Sequence, residues 1–486
     1  MNIKKDMESG VLFTAIAKYA GIVITLIVTA VLARLLDPEL FGIVNIATVF
    51  IAFFSVFSDL GIGPAVIQRR DLTDEDLRGL FTISIWLAIA LTAAFIVAIF
   101  PIYHFYGGST RLRDILFILS VNLFFNTLNM VPNALLMKDK RFKFAAIRSL
   151  AVQTGCGAIA ITAALLGAGL YSLTINPVLS SVAIFFINYS QYRIHPAAKP
   201  QMETIRKIFN FSFFQFAFQV VNYFSRNLDK LMMGRYMDMT SLGYYDKSYR
   251  LMMMPLQNIT YVITPVMHPI LAQIQTEKER ISSAYLRIVK LLAFIGFPLM
   301  AAMFFMADDL IYFFFGPQWG PSIPCFKILA LTVAPQMILS SSGAIFQASN
   351  DTRSMFICGV FSSVLSIAGI CIGTFVFKTP EAVATSLCIT GLASFLQCYI
   401  RLFRHTLKTG WKNFWKTLVK PAVLALILAV VLQGLTFLLK PIENHFICLA
   451  IYTIAAGTVS LTFAHLSGEY DIIERINRIL CHLRRK

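Results

Sequence analysis

Fourteen apolar runs dominate the sequence, and each is long enough to cross a lipid bilayer as a helix. A spanning helix needs roughly 20 mostly apolar residues. The runs cover residues 11–34, 42–66, 80–102, 115–136, 145–166, 170–190, 208–232, 248–270, 288–314, 324–346, 355–377, 382–403, 418–438 and 445–465. Only 14% of the 486 residues are charged, against about 25% in a soluble domain, which excludes a soluble enzyme. The sequence therefore predicts an all-α, polytopic membrane protein.

The basic residues orient these spans. If the N-terminus is cytoplasmic, thirty of the 42 lysines and arginines lie in inward connections or the span ends beside them, nine lie in or beside outward ones, and three lie deeper within spans. Inward connections of bacterial membrane proteins carry the excess of Lys and Arg. Both termini are therefore predicted to be cytoplasmic. The basic residues behind the net charge of +17 lie between the apolar runs and not in one patch. They therefore indicate membrane topology, and nucleic-acid binding is not expected.

The sequence contains no motif for a disulfide framework, a metal site or a catalytic centre. The eight cysteines show no C-x-x-C spacing, so we expect buried small side chains and neither disulfides nor a metal site. No P-loop, H-E-x-x-H or G-x-S-x-G motif is present, and no large outer loop offers room for a catalytic site. No catalytic residues, metal or cofactor are predicted.

An internal repeat relates the two halves of the chain. Arg34-x-x-Asp37-x-x-x-x-Gly42 recurs as Arg235-x-x-Asp238-x-x-x-x-Gly243, at an offset of 201 residues. Six spans separate the copies, so both begin on the same side of the membrane and the repeats are parallel. This predicts a six-helix N-lobe and a six-helix C-lobe, joined by a cytoplasmic linker and followed by helices thirteen and fourteen and a basic amphipathic tail. The corresponding ranges are 1–190, 208–403, 191–207, 404–465 and 466–486.

Charged residues inside spans are the candidate site, because each costs about 2.5–3.5 kcal/mol on insertion scales. Lys18 lies in helix one, and Arg226 and Lys230 lie four residues apart in helix seven. Lys18 and Arg226 come from the first helices of opposite lobes, so both could face a central cavity. Such cations suit an anionic substrate, since arginine holds phosphate oxygens bidentately. Asp229 and Asp59 are the expected structural charge partners.

A polar stripe on helix seven extends this candidate site. Gln215, Gln219 and Asn222 precede Arg226 on one helix face and are predicted to line the cavity. The amides suit sugar hydroxyls, but they equally suit hydrogen bonds between helices. Likewise, Lys18 and Arg226 could instead form structural ion pairs in the bundle.

Several motifs resemble Wzx-type polysaccharide flippases. The segment Ser58-Asp59-Leu-Gly61-Ile-Gly63-Pro64 is similar to the family's helix-two signature. The stretch from Arg226 to Tyr245 is similar to its helix-seven to helix-eight region, and Phe315-Gly316-x-x-Trp319 to its later turn. The resemblance spans nearly the whole chain. It is nearest to the lipopolysaccharide and teichuronic-acid export branch of the multidrug/oligosaccharidyl-lipid/polysaccharide (MOP) exporter superfamily.

The resemblance implies a two-lobe secondary transporter of the bacterial inner membrane. It would move undecaprenyl-diphosphate-linked oligosaccharide to the outer leaflet by alternating access, with Lys18, Arg226 and Lys230 engaging the diphosphate. Protons, Na⁺ or the membrane potential would supply energy. Membrane lipids surround it, and a polysaccharide polymerase and a chain-length regulator are the expected protein partners.

Two other readings stay open. A multidrug extruder of the same superfamily would favour cationic drugs, and the basic residues within the spans argue against it. A membrane-embedded polymerase or acyltransferase lacks an outer loop and a catalytic cluster.

Overall fold

A computed structural model of the chain describes residues 3–58, 73–196, 226–272, 277–439 and 444–468, together with positions 63, 66–67, 223–224 and 441–442. Side chains are described except at 3–13 and 261–272. All regular structure in this part of the chain is helical. The chain divides into two compact units, Met1–Gly243 and Tyr244–Lys486.

Eight α-helices of the described residues lie wholly within unit 1. They are α1 (Ile3–Leu35), α2 (Pro38–Ser58), α3 (Asp74–Phe105), α4 (Thr110–Leu128), α5 (Met130–Lys138), α6 (Phe142–Leu165), α7 (Ser172–Tyr192) and α8 (226–236). Helix α3 begins with a capping box, in which Thr73 and Asp76 satisfy each other's backbone N–H groups. Helix α2 begins at Pro38, whose missing N–H costs nothing in a first turn.

Hydrogen bonds between spans pack unit 1. The Gln153 amide on α6 donates to the Gly21 carbonyl on α1 at 3.0 Å. Asn122 on α4 donates to the Pro177 carbonyl on α7 at 2.9 Å, and Ser58 on α2 bonds Thr127 on α4 at 2.7 Å. Such bonds help apolar helices to associate within a membrane, where the hydrophobic effect does not drive association because the surrounding lipid is equally apolar.

Unit 2 holds the remaining helices. They are α9 (Met239–Ala272), which begins in unit 1, and α10 (Lys278–Phe305), α11 (Ala307–Phe315), α12 (Ser322–Ala330), α13 (Val333–Leu339), α14 (Ser342–Ala348), α15 (Thr352–Cys371), α16 (Pro380–Arg401), α17 (Trp411–Leu439) and α18 (His445–Leu466). Helices α15 and α16 continue as π-helical turns over Ile372–Phe377 and Leu402–Thr406. An aromatic core joins α10, α16 and α17: the Tyr285 and Tyr399 hydroxyls lie 2.7 Å apart, and Tyr399 stacks on Phe414.

Ten helices of the described residues are long and apolar enough to cross a membrane by themselves. Two bent combinations raise this number to twelve: α4 with α5, bent by 40°, and α12 with α13–α14, bent by 46°. The other two predicted spans are 208–232, of which positions 208–222 and 225 lie outside the described residues, and 248–270, which falls within α9. The chain is thus a multi-pass, all-α membrane protein, and the count of fourteen stays a prediction.

Proline explains both bends. Pro132 lies four residues after Leu128, where α4 ends, and Pro335 lies four residues after Leu331, at the break between α12 and α13. A proline has no N–H to bond the carbonyl four residues earlier, and its ring clashes with that carbonyl. The predicted span 288–314 also divides, because α10 ends at Phe305 and a short helix with two acidic residues in its first turn follows.

Candidate functional site

The charged residues of the predicted seventh span lie on α8 of unit 1. Arg226 is exposed, Lys230 is half-buried, and Asp229 is only 5% exposed. Asp229 lies three residues after Arg226, a spacing that places two side chains on one face of a helix, whereas the adjacent Lys230 projects from a different face. Asp229 is thus a buried carboxylate on the helix that carries both cations, and its role as their charge partner stays a prediction.

Close contacts fix α8 against the start of the chain. The Tyr223 hydroxyl, just before α8, donates to the Val49 carbonyl on α2. Near the other end of α8, Gly234 lies against Ile46, and a Cβ added there would lie 2.5 Å from the Ile46 side chain. Contacts with α2 therefore lie both before and after the part of α8 that carries Arg226 and Lys230.

A tyrosine at the end of α3 adds a third attachment. The Tyr106 hydroxyl donates to the Leu231 carbonyl at 3.1 Å, and the Arg235 guanidinium lies 5.4 Å from the Phe105 ring centroid. Burial raises the pKa of Tyr106 well above its ordinary value, against a smaller lowering by Arg235. The phenol therefore stays protonated and remains a donor at physiological pH.

Lys18 lies on a different pair of helices. It is exposed on α1, which packs on α6 through Gln153, and Gly157 of α6 lies against Val28 of α1. The contacts that position Lys18 and Arg226 thus come from separate parts of unit 1. That both side chains face one water-filled cavity stays a prediction.

The two copies of the sequence repeat occupy equivalent helix junctions. Residues 36–37 separate α1 from α2, and residues 237–238 separate α8 from α9. Asp238 accepts hydrogen bonds from the backbone N–H and the hydroxyl of Ser241, both at 2.7 Å. A charged helix end precedes the break at both copies, but the sequence motif also predicts a turn at its glycine, and this is wrong: Gly42 and Gly243 lie inside the following helices.

The starts of α2 and α9 touch each other at these junctions. A Cβ added at Gly42 would lie 1.9 Å from the Met239 carbonyl oxygen, and one added at Gly243 would lie 2.2 Å from that of Pro38. Met239 is Pro38 plus the repeat offset of 201, and Gly243 is Gly42 plus the same offset. The same contact therefore occurs twice: the glycine of each repeat copy lies against the backbone carbonyl at the start of the other copy's helix.

Other predicted site residues lie outside the described part of the chain. These are Asp59, Gln215, Gln219 and Asn222. The cytoplasmic linker is described only up to residue 196, and the basic tail only up to 468. Among the described residues, no group of three or more His, Cys, Asp or Glu side chains could hold a metal ion.

Two buried charged residues in unit 2 were missed by the sequence analysis. Asp246 and Lys247, near the start of α9, are 3% and 5% exposed. The Arg250 guanidinium bonds the Asp246 carboxylate at 2.7 Å, and the Lys247 ammonium lies 5.9 Å from the Phe315 ring centroid. The basic-residue count had assigned Lys247 and Arg250 to an outer loop. The (i, i+4) Asp-Arg spacing was the signal that could have found this cluster.

A family model described as "Polysaccharide biosynthesis protein" matches residues 31–324, well over half of the chain. The chain belongs to this family. The match begins before the first copy of the repeat and ends beyond Trp319, so it includes all three motifs on which the resemblance rested, and it begins after Lys18.

Curated relatives and a solved structure agree with this membership. The chain is 25% identical to the lipopolysaccharide biosynthesis protein WzxC of Escherichia coli (strain K12), over 77% of this chain and 76% of WzxC. It is also 25% identical to the teichuronic acid biosynthesis protein TuaB of Bacillus subtilis (strain 168), over 71% and 72%. The lipid II flippase MurJ, in an inward closed conformation, superposes with a TM-score of 0.75 at 18% identity, covering 95% of this chain and all of MurJ.

The family match and the likeness to WzxC confirm the resemblance to Wzx-type polysaccharide biosynthesis proteins. The superposition on MurJ shows that this chain and MurJ share a fold.

Proposed function

We propose that this chain moves undecaprenyl-diphosphate-linked oligosaccharide from the cytoplasmic to the outer leaflet of the bacterial inner membrane. The family match over residues 31–324 carries the proposal, and the likeness to WzxC and TuaB over about three quarters of the chain supports it. A polysaccharide polymerase and a chain-length regulator would use the flipped product.

The diphosphate is the chemically distinct part of this substrate, and the cations within spans are its proposed ligands. Arg226 would hold phosphate oxygens through its planar guanidinium. Lys230 would assist one helical turn away, and Lys18 would add a second charge from α1. Buried Asp229 would keep the two α8 cations oriented, and Asp59 would serve as a further charge partner.

Alternating access is the proposed mechanism, with two six-helix lobes over 1–190 and 208–403 related by rotation about the membrane normal. The matched helix junctions at 36–37 and 237–238, and the doubled glycine contact between α2 and α9, support such a relation between the repeats. A proton or Na⁺ gradient or the membrane potential would drive the cycle, since the sequence has no P-loop.

Deleting the gene tests this function directly. Lipid-linked oligosaccharide should accumulate on the inner leaflet of the deletion strain, and a plasmid copy of the gene should clear it. Leaflet location is measured by accessibility of the glycan to a lectin in right-side-out and inside-out vesicles. Unchanged lipid-linked oligosaccharide together with loss of cationic-drug efflux would instead favour a multidrug extruder.

A further inference from the structure

A cavity with a mixed polar and apolar lining lies wholly within unit 2. It has a volume of about 240 Å³ and is lined by residues of α9, α12, α13, α15 and α16 and of the break between α12 and α13. Half of its lining residues have a hydroxyl or amide side chain: Tyr249, Thr332, Gln336, Ser362, Ser366 and Ser394. No charged residue is among the described residues that line it.

The cavity lies at the middle of its membrane-spanning helices. Ser362 and Ser366 flank the midpoint of the span Thr352–Phe377, and Gly391 and Ser394 lie around the midpoint of the span Pro380–Thr406. Both helices thus place polar cavity residues near mid-depth, where an unsatisfied polar group is most costly. Three of the six polar side chains, those of Ser362, Ser366 and Ser394, lie at that depth, and Ser394 donates to the Thr390 carbonyl.

A broken helix forms one wall. Helix α12 ends at Ala330, α13 begins at Val333, and Thr332 at the break lines the cavity. The Thr332 hydroxyl donates to the Leu329 carbonyl at 2.7 Å and accepts from the Gln336 amide at 2.8 Å. Non-helical backbone at membrane depth is tolerated where it lines a water-filled cavity, and broken helices at the midplane commonly form substrate sites in transporters.

Hydrogen-bonding capacity and space are both available in the cavity. In the described part of the chain, no protein group bonds the hydroxyls of Ser362 and Ser366, which lie one helical turn apart, whereas Ser248 bonds the carbonyl four residues earlier. A Cβ added at Gly391 would meet no atom within 4 Å. The cavity therefore presents unused hydroxyl groups to an open volume.

We propose that this cavity binds one neutral pyranose unit. Neutral hydroxyls and an amide match sugar hydroxyls, and the absence of a lining carboxylate disfavours a bound cation. The volume also far exceeds the 10–15 Å³ or so that one water needs. The choice of a sugar rests on the proposed function, and the unit belongs either to the lipid-linked oligosaccharide or to a free sugar.

Labelling of a cysteine in the cavity tests binding without transport. The full chain carrying Ser366→Cys, in lipid nanodiscs, is reacted with a small uncharged maleimide, and the rate of the unmodified chain is subtracted. Millimolar methyl glycosides of glucose, galactose and N-acetylglucosamine are the probes. At least one should slow labelling threefold or more, and Ser363→Cys, three residues away and outside the lining, should be unaffected. Equal labelling with every glycoside, or protection by NaCl instead, overturns the proposal.

Filling the cavity tests its use in export. Gly391→Leu should reduce glycan export at least tenfold at normal abundance, whereas Gly359→Leu should not, because Gly359 is equally open but does not line the cavity. Ser366→Leu against Ser363→Leu repeats the comparison if Gly391→Leu is not made in normal amounts. Normal export by both cavity variants overturns a role for the oligosaccharide. If gene deletion leaves lipid-linked oligosaccharide unchanged, the proposed function fails while the labelling result still decides the cavity.

Discussion

Gly243 lies so close to Pro38 that an added Cβ would stand 2.2 Å from the Pro38 carbonyl oxygen. The same contact joins Gly42 to Met239. Both partners are backbone, which a rotamer change cannot move aside. The glycines of the R-x-x-D-x-x-x-x-G repeat are therefore explained by the approach of two helix starts, since neither has a positive φ.

Alanine at either glycine should destabilise the protein. Overpacking costs about 1–3 kcal/mol, which exceeds the helix-propensity gain of about 1 kcal/mol from replacing glycine. Gly42→Ala and Gly243→Ala should each lower the Tm of the purified protein, measured by loss of the monodisperse peak after heating. Gly155→Ala on α6 is the matched control, because a Cβ there meets no atom within 4 Å. A Tm equal to that of the control would contradict the contact.

Topology is tested by cysteine accessibility. Thr110 is the outer reporter because it is exposed, unlike the half-buried Ser109 that caps α4. Ser283 is the inner reporter because it is exposed, unlike the buried Ser282, which bonds Thr409 at 3.0 Å. In intact cells an impermeant maleimide should label Thr110→Cys and not Ser283→Cys, and permeabilisation should make both reactive. The opposite pattern would reverse the predicted orientation.

Much of the helix layout could be predicted from the sequence, because apolar length and charged ends are local signals. The helix junctions at 36–37 and 237–238 both lie in copies of the R-x-x-D-x-x-x-x-G motif, so one sequence pattern indicates both. The break before Val333 was not predicted, although Pro335 stands where it must disrupt the helix one turn earlier. A proline within an apolar run gives no sign of whether the helix kinks or divides.

The candidate site could be predicted only in part. The placement of Arg226, Asp229 and Lys230 on one helix follows from their spacing. The burial of Asp246 and Lys247 could not be predicted from the sequence. A charged residue at the end of a span is assigned to a loop unless the packing around it is known. The lining residues of the cavity in unit 2 come from five helices, so no local sequence pattern predicts it.

Acid should weaken the start of α15 through Asp351. Burial alone raises the pKa of Asp351, but hydrogen bonds from Thr406 at 2.6 Å and from Ser354, and the charge of Arg401, outweigh this and hold the pKa below its ordinary value. A depressed folded pKa contributes stability above the unfolded value of about 3.9, and that stability is lost as pH falls through the folded pKa. Asp351→Asn should therefore flatten the fall of Tm below about pH 4, and Glu277→Gln, at an exposed ion pair, should not. Parallel curves for Asp351→Asn and the unmodified protein would exclude Asp351 as the group.

Arg226 gives the sharpest test of the cation site, because it is exposed on a helix that Tyr223 and Gly234 anchor on either side. Arg226→Ala should abolish glycan export in a flippase-null strain without loss of membrane insertion, since removing a charge lowers the insertion cost. Arg226→Lys should keep part of the activity, because the charge survives while bidentate geometry is lost. Arg111→Ala removes a cation from an exposed pair with Glu39 at 3.5 Å and should export normally. Protein abundance is measured by immunoblot alongside export. Full export by a Lys18→Ala/Arg226→Ala double variant at normal abundance would leave both cations with a structural role alone.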